Sequence, residues 1–141
     1  MEWPAPGDPK TIDNPLKDEV VEDVYSLLEV MSFPHLIMHN PVRGVWVPVD
    51  FRDVIFPDAS LGVGSHLGSS VRLKAECAEL ARRLRLPLDR DPEDQAVREA
   101  MFHPGKGRTP WERYGVESHN LLALYRACRK STELGSAIYI D

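Results

Sequence analysis

A glycine- and serine-rich stretch carries the residue types in this chain that are best suited to binding an anion. It reads Gly62-Val-Gly-Ser-His-Leu-Gly-Ser-Ser70 and precedes a predicted helix. Glycines let the backbone curl, and free N–H groups at the start of a helix attract anions. The alternative is a plain connecting segment whose Ser69 or Ser70 caps the helix that follows. The candidate anion-binding residues are Gly62, Gly64, Ser65, Gly68, Ser69 and Ser70.

The stretch departs from the motifs that bind nucleotides. The dinucleotide fingerprint needs a glycine where Leu67 stands, and the phosphate loop needs a terminal Gly-Lys-Ser or Gly-Lys-Thr. Ser65 and His66 are adjacent, but no nucleophile elbow surrounds them. We therefore assign no catalytic residue. A small enzyme or ligand-binding domain that holds an anionic substrate with this loop stays the alternative to a binding protein.

The histidines and cysteines predict neither a metal site nor a cofactor. His35 and His39 lie four residues apart, but no carboxylate stands near them at a recognised spacing, and catalytic zinc usually takes three protein ligands. Cys77 and Cys128 fall on the apolar stripes of two predicted helices. This placement favours two buried thiols over a disulfide.

Charge is divided unevenly along the chain. Residues 1–70 contain eleven acidic and four basic residues, a net charge of −7, whereas residues 71–141 contain eleven acidic and thirteen basic residues, a net charge of +2. An acidic surface steers a basic partner towards it and rejects wrong partners. The alternative is an acidic helix face that is merely solvated. The predicted partner-binding residues are Glu19, Glu22, Asp23, Trp46, Asp50 and Asp53.

The net charge and the lengths of the apolar runs limit the class of partner that we expect. A net charge of −5 argues against binding to nucleic acid, which favours a basic stripe. The apolar runs are too short to span a bilayer, and the first residues do not resemble a secretory signal. We expect a cytoplasmic monomer or weak dimer that binds a basic protein and contacts neither nucleic acid nor membrane.

The first part of the chain predicts an arm, a helix and a hairpin. Residues 1–14 are rich in proline and predict an irregular arm, and residues 15–141 predict a single domain. Asn14 and Pro15 begin a helix with one apolar stripe that ends at Pro34. Two β-rich runs, 35–40 and 45–51, flank a Pro/Gly turn and predict a hairpin with Trp46 on its exposed face. Pro48 favours an edge position for the second run.

The second part of the chain is predicted to be mostly helical. The apolar spacing predicts helices from about Ser69 to Leu84 and from about Ser118 to Glu133, with a short helix after Asp91 and one turn at Thr109–Tyr114 between them. Ala137–Ile140 predicts a final strand that joins the hairpin. The predicted fold is therefore α+β: a small antiparallel or mixed sheet with helices packed on one side.

Two helical segments and the final strand resemble small bacterial proteins of the immunity type from polymorphic toxin systems. The segments are Leu67–Pro87, which contains Val-Arg-Leu-Lys-Ala-Glu-Cys-Ala-Glu-Leu, and Asn120–Lys130, which reads Asn-Leu-Leu-Ala-Leu-Tyr-Arg-Ala-Cys-Arg-Lys. The resemblance covers about half of the chain and includes no diagnostic motif, so it transfers no functional residue. It implies a non-catalytic inhibitor that neutralises a cognate toxin domain through an acidic surface.

Overall fold

The sheet of this protein is mixed and has three strands. The computed structural model describes residues 33–37 and 44–140, all within one compact unit, Phe33–Asp141. Strands β1 (Gly44–Val47), β2 (His66–Ser69) and β3 (Ile138–Ile140) lie in the order β2-β1-β3. Strand β1 pairs in parallel with β2 and antiparallel with β3. The predicted α+β fold and the joining of the last strand to the sheet are confirmed.

The predicted hairpin is wrong. Helix α1 (Pro34–Ile37) occupies the start of the first β-rich run, because Pro34 opens a helical turn. Both edges of β1 are already paired, with β2 and β3, so no edge remains for a hairpin partner. Strand β1 is central, and it ends at Val47, immediately before the proline that could not donate to a ladder. His39 and the predicted helix before Pro34 lie outside the described residues.

The connection between β1 and β2 spans residues 48–65, and we call it the β1–β2 connection. Parallel neighbours need such a crossover, since a two-residue turn reverses the chain. It contains a 3-10 turn, Ala59–Leu61. Ile55 forms an isolated antiparallel bridge with Leu67 through hydrogen bonds of 2.9 and 2.7 Å between their backbone N and O atoms.

The helices follow the apolar periodicity of the sequence closely. Ser69 caps α2 (Ser70–Leu84) by accepting the Arg72 N–H at 3.1 Å. Gly135, in the left-handed region (φ 65°), ends α5 (Gly115–Leu134). Residues at helical spacing on α2 and α5 enter the core, so these predicted helices are confirmed. The bounds are α2 Ser70–Leu84, α3 Gln95–Phe102, α4 Pro110–Arg113 and α5 Gly115–Leu134.

The core lies between the helices and one face of the sheet. Helix α5 packs along α2 and α3, and Trp46 from β1 joins the same apolar cluster. Cys77 and Cys128 are fully buried, free thiols, which confirms that prediction. Burial raises the pKa of the Cys128 thiol to about 12, so it stays protonated at neutral pH.

One glycine sets the distance between two helices. A Cβ on Gly115 would lie 2.0 Å from the carbonyl oxygen of Ala100, so the start of α5 can approach α3 only without a side chain. Within residues 33–37 and 44–140, no helix has both the length and the apolar character needed to cross a membrane.

Candidate partner-binding surface

The acidic character of this chain is concentrated before the described unit. Residues 1–32 contain eight acidic and two basic residues, a net charge of −6. The described residues contain thirteen acidic and fourteen basic residues, so their net charge is +1. Glu19, Glu22 and Asp23, three of the predicted contact residues, lie outside the described residues. The described residues are therefore almost neutral in total, and the excess of negative charge in the chain lies in residues 1–32.

Asp50 and Asp53 differ in how far their charges are compensated. Asp50 forms an ion pair with Arg72 on the first turn of α2. The Asp53 side chain is 89% exposed and lies 3.9 Å from Arg52, its equally exposed neighbour. Exposed pairs of this kind contribute little stability because water screens them. Both carboxylates stay accessible to a partner, and their role in binding stays a prediction.

Trp46 does not lie on an exposed face. Its side chain is fully buried, and its ring meets the His66 ring edge to face with 4.9 Å between the centroids. Alternation along β1 places Gly44 and Trp46 on the core face and leaves Val45 and Val47 half-buried, the reverse of the predicted assignment. No partner can touch the indole unless the sheet opens.

The glycine- and serine-rich stretch is used for folding. Gly62 ends the 3-10 turn in the left-handed region, and Gly68 belongs to strand β2. Ser69 caps α2, and the hydroxyl groups of Ser70 and Ser131 are hydrogen-bonded at 2.8 Å inside the core. The helix cap formed by Ser69 is thus observed, and the anion-binding role of this stretch stays a prediction. These hydrogen bonds leave the two buried serine hydroxyls with partners inside the protein.

His35 ties three separate segments together. Its Nδ1 accepts the Ser69 N–H at 3.0 Å, so the ring proton is on Nε2, which donates to the Arg52 carbonyl oxygen at 2.9 Å. Glu76 is half-buried and accepts the N–H groups of His35 and Leu36 at 3.4 and 2.8 Å. Burial raises the pKa of the Glu76 carboxyl, and these two backbone hydrogen bonds oppose the rise.

Two buried ring nitrogens lack a hydrogen-bond partner. Among the described residues, these are Trp46 Nε1 and His66 Nε2. Desolvation lowers the pKa of His66, so its ring is neutral at physiological pH. The same part of the chain contains no group of three His, Cys, Asp or Glu side chains that could hold a metal ion.

The exposed apolar side chains of the β1–β2 connection were not predicted from the sequence. Val49, Ile55, Phe56, Leu61 and Val63 are all exposed there. The run Val54-Ile-Phe-Pro57 has neither the two-residue nor the helical period, so pattern analysis gives it no element to cover it. An apolar run without a period, flanked by aspartates, is the sequence signal that could have indicated these exposed side chains.

Comparison with known proteins gives a match along almost the whole chain. Residues 2–140 match the model of a family described as "Putative DNA-mimic protein". The chain belongs to this DNA-mimic family. No curated protein and no solved structure gives a match.

Membership in the DNA-mimic family corrects the predicted partner. A basic protein partner, possibly a cognate toxin domain, with no part for nucleic acid is predicted from the sequence, and this is wrong because the family description concerns mimicry of DNA, which points to a DNA-binding protein. The coarser prediction, a binding protein that acts through acidic groups, agrees with the description. The match does not test the resemblance to immunity-type proteins, which stays a prediction.

Proposed function

We propose that this protein is a DNA mimic that occupies the DNA-binding site of a DNA-binding protein and does no chemistry. The observation that supports this most strongly is the family match over residues 2–140. The distribution of charge along the sequence agrees with it, because residues 1–32 have a net charge of −6 and the described residues are nearly neutral in total. A mimic needs its negative charge gathered on one surface, as the phosphates are gathered on DNA.

The acidic residues of the predicted first helix have a spacing suited to this role. Asp18 and Glu29 are eleven residues apart, which is about 17 Å along a helix axis. Five carboxylates in that length give one charge per roughly 4 Å, close to the 3.4 Å of a single DNA strand. The five are Asp18, Glu19, Glu22, Asp23 and Glu29.

Binding of this kind must depend strongly on salt. The basic site of a DNA-binding protein attracts small anions from solution when it is free, and a polyanionic ligand displaces them. Association is steered by the opposite charges and slows as the Debye length shortens. We expect the affinity to fall when the salt is raised from about 50 mM to about 200 mM.

A displacement assay tests the proposal. Proteins of the host cell are first bound to a duplex-DNA column, eluted, and mixed with a short fluorescent duplex. The purified full chain is then titrated in, and the anisotropy of the duplex is followed. The proposal predicts that the anisotropy falls to the value of free DNA as the chain replaces the duplex. A proposal of DNA mimicry is wrong if the chain leaves the duplex bound at every concentration, or if the chain itself raises the anisotropy of the free duplex.

A further inference from the structure

The β1–β2 connection exposes an unusual amount of apolar surface. Ten large hydrophobic side chains are exposed among the described residues, and five of them lie on this one connection. Phe56 and Leu61 are each 66% exposed. Exposed apolar groups that are gathered rather than scattered mark interaction sites.

The connection is held in place by backbone hydrogen bonds. Ile55 is bridged to Leu67 on β2, and the Arg52 carbonyl oxygen accepts the buried His35 Nε2–H. Asp58 accepts the Ser60 N–H at 2.8 Å and so caps the 3-10 turn that carries Leu61. A surface that is ordered before binding loses little conformational entropy when it docks.

Carboxylates alternate with these apolar side chains. The connection contains Asp50, Asp53 and Asp58 against Arg52, and Arg72 of α2 pairs with Asp50, so the net charge of these five residues is −1. Hydrogen bonds to Ser60 lower the pKa of the exposed Asp58 carboxyl, so it is ionised at neutral pH. The connection therefore presents apolar groups within negative potential, which complements an apolar recess bordered by basic side chains.

From this arrangement we infer that the β1–β2 connection is a second contact with the same DNA-binding protein, in which Phe56 and Leu61 enter apolar recesses beside its basic site. The inference rests on the proposed function and adds the origin of specificity. Carboxylates alone bind any basic surface and lose affinity steeply with salt. Buried aromatic and aliphatic anchors hold at high salt and select one partner, because they require a matching recess.

The test uses the displacement assay with two variants that have matched exposure. The first carries Phe56→Ser and Leu61→Ser on the β1–β2 connection. The second carries Phe102→Ser at the end of α3, where the side chain is 65% exposed. At about 200 mM salt, we expect the first variant to need at least tenfold more protein for half-displacement, and the second to need less than about twofold more. Denaturation midpoints of both variants verify that they are folded.

Three other outcomes would contradict the inference, and the measurements distinguish them from one another. If both variants displace the duplex as the wild type does, the second contact is absent although DNA mimicry holds. If the wild type displaces nothing, the proposed function is wrong and the inference falls with it. If the first variant displaces normally but sedimentation shows that it has lost a wild-type dimer, the occupant of this surface is a second copy of the chain, and the inference is wrong.

Discussion

His66 and Trp46 each cover their own cross-strand partner, and both of these partners are glycines. In the parallel pairing of β1 and β2, Gly44 stands opposite His66 and Trp46 stands opposite Gly68. A Cβ on Gly44 would lie 2.2 Å from His66 Nε2, and a Cβ on Gly68 would lie 2.5 Å from Trp46 Cδ1. The two rings, at 81° to one another, therefore fill the space that the glycines leave. This reciprocal packing joins the strands on their core face.

Replacing Gly68 with alanine should destabilise the fold. The added methyl group meets the buried Trp46 ring, which has no room to retreat, and overpacking of this kind costs about 1–3 kcal/mol. Chemical denaturation of the Gly68→Ala variant measures the loss. Gly105→Ala is the control, because a Cβ there meets nothing within 4 Å and the cost is limited to its positive φ. An equal or smaller loss for Gly68→Ala would contradict the packing described.

Stability should fall as the pH is lowered through the ordinary titration range of histidine. Burial lowers the pKa of His66 from its ordinary value of 6.5. Below pH 6.5 the unfolded chain therefore binds a proton that the folded chain resists, and the free energy of unfolding decreases. For one such group the slope is at most about 1.4 kcal/mol per pH unit. His66→Phe keeps a ring over Gly44 and removes this titration.

The measurement is the free energy of unfolding of both proteins between about pH 7.5 and pH 5.5. We expect the wild type to lose more stability than His66→Phe as the pH falls. The other titrating groups are common to the two proteins, so the difference isolates His66. Parallel curves would show that the ring is not held neutral by its surroundings.

Glu76 should contribute to stability although it is an acidic residue on a helix face. It accepts the first two free N–H groups of α1, from His35 and Leu36. Glu76→Ala removes the carboxylate that accepts both N–H groups, and we expect a loss of about 1–2 kcal/mol in urea denaturation. Glu79→Ala on the same helix is the control, since Glu79 pairs only with exposed Arg82 and Arg83. Its loss should be the smaller of the two.

Helices α2 to α5 and the last strand could be predicted from the sequence because their signals are local, whereas α1 lies where a strand is predicted. Leu73, Cys77 and Ala81 recur at helical spacing and are buried, and Gly135 ends α5 in the left-handed conformation that glycine favours. The parallel pairing of β1 with β2 could not be predicted from local signals. Pairing depends on contacts between distant residues, and β2 was hidden in a stretch whose glycines also suit a loop.

The candidate site was predictable in its charge but not in its apolar part. The excess of acidic residues near the amino end follows from counting, whereas the burial of Trp46 depends on which face of β1 meets α2. Alternation along a strand defines two faces without saying which one is inside. The sequence marks Val54–Phe56 only as a short apolar run ended by Pro57, and only the fold shows that Ile55 and Phe56 are exposed.

Two triple variants with equal changes in charge test whether the acidic residues among residues 1–32 bind the partner. Glu19→Gln, Glu22→Gln and Asp23→Asn neutralise residues of the first 32, and Asp89→Asn, Glu117→Gln and Glu133→Gln neutralise three exposed acidic residues of the described unit. Half-displacement of fluorescent duplex DNA is measured for both at about 50 mM salt. We expect the first variant to displace the duplex at least tenfold more weakly than the wild type does, and the second variant to differ little from the wild type. Equal displacement by both variants would contradict it.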